Sequence, residues 1–324
     1  MIFDVKGLLH PPDRIIAYLR YVPDGRGGRE RATIRYRKVY ALDTRAKLLA
    51  RKWPKYLYHD PFLQRELQAV PINDVKHHYL PSKKLAHMRQ TTKLDRQEHL
   101  ALDMAETLAR EAKVPLSKIG VSGSILVSLH TTKSDIDLIL QGSDAALKCY
   151  SKLKETLERR AHGFAPYVKN DLRKLYRQRS LNAAMSFDVF VKHEQPKVLQ
   201  GKFKGTDYFI RCVMSPNERD ETYGDRKYHR LSRATIHATI SDDSESIFTP
   251  CTYRIVDVQM TGKHTAPSEI VSFRGRFCEQ ARRGDRVWAN GVLEKVVAKD
   301  IKNYRLLIGE DPQDFLVTVG NSKA

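Results

Sequence analysis

Cysteine is scarce in this sequence, and its four cysteines are far apart. Cys149, Cys212, Cys251 and Cys278 form no CxxC pair. Structural zinc sites use closely spaced ligand pairs, and disulfide frameworks are typical of small secreted domains. The cysteine pattern therefore argues against both kinds of site and favours a protein of a reducing cytoplasm.

Long apolar runs are also missing. No window approaches the roughly 18 apolar residues of a transmembrane helix, and the start "MIFDVKGLLHPPDR" lacks a basic segment followed by an apolar one. We therefore expect no signal peptide, no membrane partner and a cytoplasmic location. The chain contains neither a G-x-S-x-G elbow nor a GxxxxGK[ST] loop, so hydrolases of that type and P-loop enzymes are not indicated.

Acidic residues are outnumbered by basic ones, 38 to 57, which gives a net charge of +19. An excess of this size usually reports an anionic partner, most often nucleic acid. The charge is clustered, with eleven Lys or Arg and only two acids between Arg26 and Lys55, and aromatic residues lie among them. Basic groups contact phosphates, and aromatic rings stack on unpaired bases. The candidate nucleic-acid contacts in this segment are Arg35, Arg37 and Lys38.

The length of 324 residues predicts more than one domain. Residues 1–90 are expected to form a small basic α/β region. Residues 91–206 alternate predicted helices and strands. From residue 207 onward, short β-prone runs separated by turn signals predict an all-β barrel or sandwich. The expected fold class is α+β.

The stretch "GVSGSILVSLHTTKSDIDLIL" (Gly120–Leu140) places Asp135 and Asp137 one residue apart in a predicted strand. Side chains at positions i and i+2 of a strand lie on one face, roughly 7 Å apart. Two carboxylates that close repel each other unless protons or a divalent cation lie between them, and oxygen ligands suit Mg²⁺ or Mn²⁺. An ordinary surface strand can carry the same pair, so two further features decide the interpretation.

The first feature is the Gly/Ser turn Ser122-Gly123-Ser124, whose hydroxyl and backbone N–H groups are candidates for binding phosphate oxygens. The second is Asp188, which is alone in the apolar run Ala183–Lys192. We predict that this run is a strand. Because a lone carboxylate in a core is costly, we expect the strand to lie beside the DxD strand and to present Asp188 to the same site.

A Gly-Ser pair, ten residues, D-x-D and a third carboxylate on a later strand resemble the nucleotidyltransferases of the DNA polymerase beta superfamily. The motif is particularly similar to archaeal members, and the whole chain resembles a class of archaeal predicted nucleotidyltransferases. The resemblance covers about residues 95–195 and implies a polymerase-beta-like core, a mixed sheet with flanking helices. It implies that Gly123 and Ser124 hold the β- and γ-phosphates, that Asp135 and Asp137 bind two Mg²⁺ ions, and that Asp188 completes the site.

The implied reaction is in-line attack of a hydroxyl on the α-phosphorus of a nucleoside triphosphate, with pyrophosphate leaving. Two metal ions about 3.5–4 Å apart would stabilise the attacking and leaving oxygens. Archaeal CCA-adding enzymes place a basic residue, Gly and Thr soon after the Gly-Ser pair, whereas this chain reads "ILVSLHT", which argues against CCA addition. The basic residue expected to offset the charge is either Lys133 or one of three residues on the predicted helix Lys169–Ser180, namely Arg173, Lys174 or Arg177.

The segment Phe273–Val296 is similar to OB-fold strands, since "GDRVWANGVLEKV" has the rhythm of a barrel hairpin. OB barrels commonly bind single-stranded nucleic acid on basic and aromatic faces. A β-domain with solvated arginines and only a stabilising role is the alternative. The candidate RNA contacts here are Arg274, Arg276 and Arg283.

The sequence thus predicts a metal-dependent nucleotidyltransferase that acts on RNA, with tRNA and ribosomal RNA as candidate acceptors. One alternative is a non-catalytic RNA-binding or ribosome-associated factor that reuses the same fold. Another is an enzyme that transfers a nucleotide to a hydroxyl side chain of a protein.

Overall fold

The computed structural model describes residues 1–179, 185–260, 265–299 and 301–319. Within these residues helices and strands are mixed, so the α+β class is confirmed. Their strands form one sheet near the N-terminus, one in the centre and one near the C-terminus. No helix in the described ranges is long and apolar enough to cross a membrane.

The N-terminal unit is a sheet covered by one helix. The strand order is β3-β4-β2-β6-β5, and β1 pairs with β2. Leu19 of the long strand β2 and Leu49 of the helix are fully buried in one core cluster. The elements are β1 (Ile2–Val5), β2 (Arg14–Pro23), β3 (Arg29–Arg31), β4 (Ile34–Lys38), α1 (Leu42–Lys52), β5 (Leu57–Asp60) and β6 (Arg65–Pro71).

The central unit has the strand order β7-β8-β11-β10-β9. Strand β8 lies between β7, which is antiparallel to it, and β11, which is parallel to it. The strands are β7 (Ile119–Val121), β8 (Ile136–Gln141), β9 (Phe164–Ala165), β10 (Gln200–Phe203) and β11 (Thr206–Val213). The helices are α2 (Pro81–Gln90), α3 (Arg96–Ala112), α4 (Gly123–Leu126), α5 (Ser143–Arg159), α6 (Lys169–Arg179) and α7 (Phe187–Glu194).

Helices α3 and α5 cover one face of the central sheet. Helix α3 begins with a capping box between Asp95 and Glu98, a sequence signal that stabilises the first turn. In β8 the residues at even positions, Ile136 among them, are buried in the shared core, whereas the odd positions, Asp137 among them, line a cleft. The period of two in the strand thus leaves one face of the sheet open.

The strand β11 corrects the predicted division of the chain. Its residues, "TDYFIRCV", begin where the sequence suggested a separate β-rich region, yet they pair with β8 from Tyr208 opposite Ile136 to Val213 opposite Gln141. A boundary at residue 207 therefore cuts through one sheet. The predicted helix Lys169–Ser180 is confirmed to Arg179, and Ser180 lies outside the described residues.

The C-terminal strands close into a barrel. The order is β12-β13-β14-β16-β15, and β15 pairs back onto β12. Strands β14 and β16 run parallel, while β17 adds to β15. The strands are β12 (Lys227–Asp242), β13 (Cys251–Met260), β14 (Glu269–Ser272), β15 (Arg286–Ala298), β16 (Ile301–Ile308) and β17 (Phe315–Thr318).

The barrel is anchored to the central sheet by buried polar contacts. The carboxylate of Glu279 accepts hydrogen bonds from the backbone N–H groups of Val198 and Leu199, at 2.8 and 3.0 Å. The Lys197 ammonium donates to the carbonyl of Arg276 at 2.6 Å. Since buried donors and acceptors without partners are costly, these contacts hold the barrel in one position beside β10.

Candidate active site

A cleft of about 3070 Å³ lies between the N-terminal unit, the central sheet and the barrel. Its floor is the open face of β8, β11 and β10. Pockets for small molecules usually measure about 300–1,000 Å³. The cleft is therefore large enough for a segment of a macromolecule in addition to a small substrate.

The two carboxylates of the D-x-D motif both line this cleft. Asp135 is exposed and comes immediately before β8, whereas Asp137 is partly buried within the strand. Burial and the negative charge of Asp135 raise the pKa of Asp137 to about 7, although the positive charges of Arg211, Lys38 and Arg20 oppose the shift. The two carboxylates therefore repel each other in the folded state, and a bound cation would relieve this repulsion.

The Gly/Ser turn is packed directly against Asp137. The backbone N–H of Ser122 donates to the carbonyl of Asp137 at 2.8 Å. Gly123 has a φ of +59°, and a Cβ atom on it would lie 1.8 Å from Oδ2 of Asp137. Only glycine leaves room for this carboxylate, so the two halves of the motif form one local structure.

The three residues of the turn have different environments. Ser122 lines the cleft, and Gly123 is exposed. Ser124 is buried and does not line the cleft, because α4 turns it inward, where its carbonyl accepts from the N–H of Leu129 at 2.9 Å. The structure therefore leaves Ser122 available for a phosphate and does not present the Ser124 side chain to the cleft.

Replacing Gly123 with alanine is expected to displace the Asp137 side chain. The left-handed backbone costs about 1 kcal/mol with alanine, and a misplaced catalytic group typically costs about a hundredfold in rate. Urea unfolding would measure the loss of stability, and the incorporation of labelled nucleotide into RNA would measure the loss of rate. The matched control is Gly284→Ala, whose φ is +89° but whose added Cβ meets nothing within 4 Å. Equal activity in both variants would contradict the proposed role of the contact.

Asp188 does not take the position that the sequence predicted. The run Ala183–Lys192 is not a strand where the structure describes it: α7 spans Phe187–Glu194, and Ala183 and Ala184 lie outside the described residues. The Ser186 hydroxyl accepts from the N–H of Val189 and begins the helix. Asp188 is exposed in the first turn, where its negative charge interacts favourably with the helix dipole. It does not line the cleft.

A different carboxylate, Asp207, lies next to the D-x-D pair. It is on β11, one residue before Tyr208, which pairs with Ile136. This register places Asp207 beside Asp135, and both line the cleft. The Lys202 ammonium donates to Asp207 at 2.8 Å. Sequence patterns do not single out Asp207, because its strand resembles the β-prone runs of the C-terminal region, although "GTDYF" shows the same pattern of an acid at the start of an apolar strand.

The candidate basic residues divide into those that line the cleft and those that do not. In β4 the alternation of a strand points Lys38 into the cleft and Arg35 and Arg37 away from it. The candidates that line the cleft are Lys38, Lys133, Lys174, Arg274 and Arg276. Those that do not line it are Arg35, Arg37, Arg173, Arg177 and Arg283. The cleft is also lined by arginines that sequence reasoning missed, and Arg20, Arg45 and Arg211 are among them.

The oxygen ligands available at this site are chemically suited to a hard divalent cation. Asp135 and Asp137 offer carboxylate oxygens, the ligands that Mg²⁺ and Mn²⁺ prefer, and their mutual repulsion favours a cation between them. Within the described ranges, no group of three or more His, Cys, Asp or Glu side chains is arranged to hold a metal ion. An ion at this site would therefore take further oxygens from water or from a bound phosphate.

The comparisons with known proteins do not identify the activity. No protein-family model matches the chain, and no solved structure matches it. The chain is 28% identical over 327 residues to the uncharacterized protein MJ1086 of Methanocaldococcus jannaschii, an alignment that covers 97% of this chain and 93% of the relative. The similarity thus includes all three units that surround the cleft.

Proposed function

We propose that this chain is a metal-dependent nucleotidyltransferase that transfers a nucleoside monophosphate from a nucleoside triphosphate to a hydroxyl group of an RNA. The observation that carries the proposal is the packing of Gly123 against the carboxylate of Asp137. It joins a Gly/Ser turn and the D-x-D carboxylates at the floor of a basic cleft. We further propose that the central unit is a polymerase-beta-like core.

We also propose that the barrel is of the OB type. Its order, β12-β13-β14-β16-β15, and its closure by β15 and β12 support a five-stranded Greek-key barrel. OB barrels bind nucleic acid on the face of their second and third strands. Here the corresponding strands β13 and β14 contribute Arg254 and Val271, among others, to the cleft wall.

The site residues would act in the following way. Asp135 and Asp137 would hold Mg²⁺ or Mn²⁺, which when bound stabilises the charge on the reacting phosphate and its leaving group. Ser122 and Lys133 lie on the cleft wall and would contact the phosphates of the nucleotide. Asp207 would orient the acceptor hydroxyl and accept its proton.

RNA is the proposed acceptor because of charge and size. The chain carries a net charge of +19, and basic side chains from all three units face the cleft. Phosphate contacts supply most of the sequence-independent affinity of nucleic-acid binding. A cleft of about 3070 Å³ leaves room for several nucleotides beside the reacting one.

The test is incubation of the protein with labelled nucleoside triphosphates, Mg²⁺ or Mn²⁺ and total cellular RNA. We expect label in RNA, and a loss of at least about a thousandfold in Asp135→Asn, because a metal ligand is removed. The matched control is Asp144→Asn, which changes an exposed carboxylate that pairs with Lys148 on α5. Label found in protein instead would favour the protein-modifying alternative.

A non-catalytic RNA-binding function is the second candidate. It is favoured by the finding that, in the described ranges, no three potential ligands converge to hold an ion. RNA binding that is the same in the unchanged chain and in Asp135→Asn, with no incorporation under either metal, would support this alternative and reject the enzyme.

A further inference from the structure

Four arginines from the three structural units face one region of the cleft beside the D-x-D carboxylates. They come from the N-terminal sheet, its helix, the central sheet and the segment after the barrel strand β14. We call them the arginine pocket: Arg20 of β2, Arg45 of α1, Arg211 of β11 and Arg274. Their charges interact, since burial and then the charges of Arg20 and Arg274 lower the pKa of Arg45 to about 10.

Backbone carbonyls hold two of these side chains in place. The N–H of Val39 donates to the carbonyl of Arg20 at 3.0 Å, and the carbonyl of Val39 accepts from Nε of Arg45 at 3.1 Å. Nε of Arg274 donates to the carbonyl of Gly309 at 3.0 Å. Neutral carbonyls thus orient two of the guanidinium groups without neutralising them.

The barrel segment and β11 meet through a close contact. A Cβ atom on Gly275 would lie 2.6 Å from the ring of Phe209. Phe209 and Arg211 are two residues apart in β11 and face the same side, so the contact brings the segment of Arg274 to the strand of Arg211.

The positive charge of the pocket is only partly compensated. The carboxylates of Asp4 and Asp137 interact with these charges at longer range, and Asp4 is itself paired with Lys6. In the part of the chain that the structure describes, none of the four arginines forms an ion pair with a carboxylate. Arg45 is only 4% exposed. Like charges brought together in a partly buried place are costly without a counter-ion, so the arrangement indicates an anionic ligand that guanidinium groups bind well, such as phosphate.

The position of the pocket indicates whether it faces the nucleoside triphosphate or the acceptor. The Gly/Ser turn follows β7, on one side of β8, and Arg211 is on β11, on the other side. In an in-line displacement the attacking hydroxyl and the leaving pyrophosphate lie on opposite sides of the phosphorus. If the triphosphate lies against the turn, then the arginine pocket lies on the side of the acceptor.

We propose that the arginine pocket binds a backbone phosphate of the acceptor RNA next to its reacting terminal hydroxyl. This inference rests on the proposed nucleotidyl transfer. The same phosphate chemistry is present in the pyrophosphate portion of the nucleotide, which is the competing source of the ligand.

The experiment uses the full chain in EDTA, so that no catalysis occurs. The probe is a short fluorescent single-stranded RNA, either unmodified or with one neutral methylphosphonate at its last linkage. We expect the neutral linkage to weaken binding by at least about tenfold, and the same change at an internal linkage to have a smaller effect. Because this modification is on the RNA, the result does not depend on whether a protein variant folds.

The protein variants are Arg20→Ala and Arg274→Ala, with Arg159→Ala as a matched control because this arginine is exposed on α5 and lies outside the cleft. The first two should weaken binding of unmodified RNA about tenfold and should remove the difference between the two RNAs. Their affinity for pyrophosphate and nucleoside triphosphate should be unchanged. A loss of pyrophosphate affinity with no loss of RNA affinity would assign the pocket to the nucleotide and overturn the proposal.

The outcomes separate this inference from the proposed function. Incorporation into RNA, together with no effect of the neutral linkage or of the arginine variants, would reject the pocket and leave the enzyme standing. A neutral-linkage effect that depends on Arg20 and Arg274, without incorporation, would support the phosphate site and reject the enzyme.

Discussion

Asp137→Asn is expected to abolish incorporation and, without metal, to stabilise the fold more at about pH 8 than at about pH 5. The folded-state pKa of Asp137 is about 7 because of burial and the charge of Asp135, well above the unfolded value of about 3.9. Between these values the folded state binds more protons than the unfolded state, so the carboxylate lowers stability as the pH rises. Asparagine has the same shape and carries no charge.

Urea unfolding in EDTA measures this effect. The stability of Asp137→Asn relative to the unchanged chain should increase by about 2 to 3 kcal/mol between about pH 5 and about pH 8. Asp135→Asn should produce a smaller change in the same direction, since it removes only the neighbouring charge. If the stability of Asp137→Asn relative to the unchanged chain does not depend on pH, the raised pKa of Asp137 would be contradicted.

In the unchanged chain, bound metal should offset the loss of stability that the Asp137 carboxylate causes as the pH rises. If Mg²⁺ binds between Asp135 and Asp137, it stabilises the folded state in proportion to its binding and competes with the proton. Thermal stabilisation by Mg²⁺ should therefore be larger at about pH 8 than at about pH 5, and it should be small in Asp137→Asn.

Asp207→Asn is expected to lower the incorporation rate by about a hundredfold or more, whereas Asp188→Asn should change it by no more than about twofold. Asp207 lies beside Asp135 through the pairing of β8 and β11. Asp188 is exposed on α7 and does not line the cleft. Single-turnover rates over a range of pH would measure both variants.

Two further measurements separate a catalytic role of Asp207 from a structural one. The loss in Asp207→Asn should appear in kcat and not in the KM for RNA, because the carboxylate is proposed to act in the reaction step. RNA affinity in EDTA and the unfolding midpoint should stay close to those of the unchanged chain. The reverse pattern, a large loss in Asp188→Asn and none in Asp207→Asn, would restore the prediction made from sequence.

The error at Asp188 has a local cause. The alternation in "MSFDVFV" is typical of a strand, but Ser186 followed by an acid in the first turn is also a helix N-terminal signal. The structure follows the second signal, because the Ser186 side chain caps α7 and Phe190 is buried. A short apolar run contains both patterns, so its periodicity alone did not decide between them.

The sequence by itself determined the α+β class, the Gly/Ser turn, the D-x-D pair and the basic character of the chain, because these depend on residue type and on spacing over a few residues. Tertiary structure alone decided that Asp207, not Asp188, lies beside Asp135, and that Arg20, Arg45, Arg211 and Arg274 face one pocket. The physical reason is that these neighbours are brought together by the parallel pairing of β8 with β11 and by the docking of three units. Such contacts join residues far apart in the chain, and local patterns do not encode which strands pair.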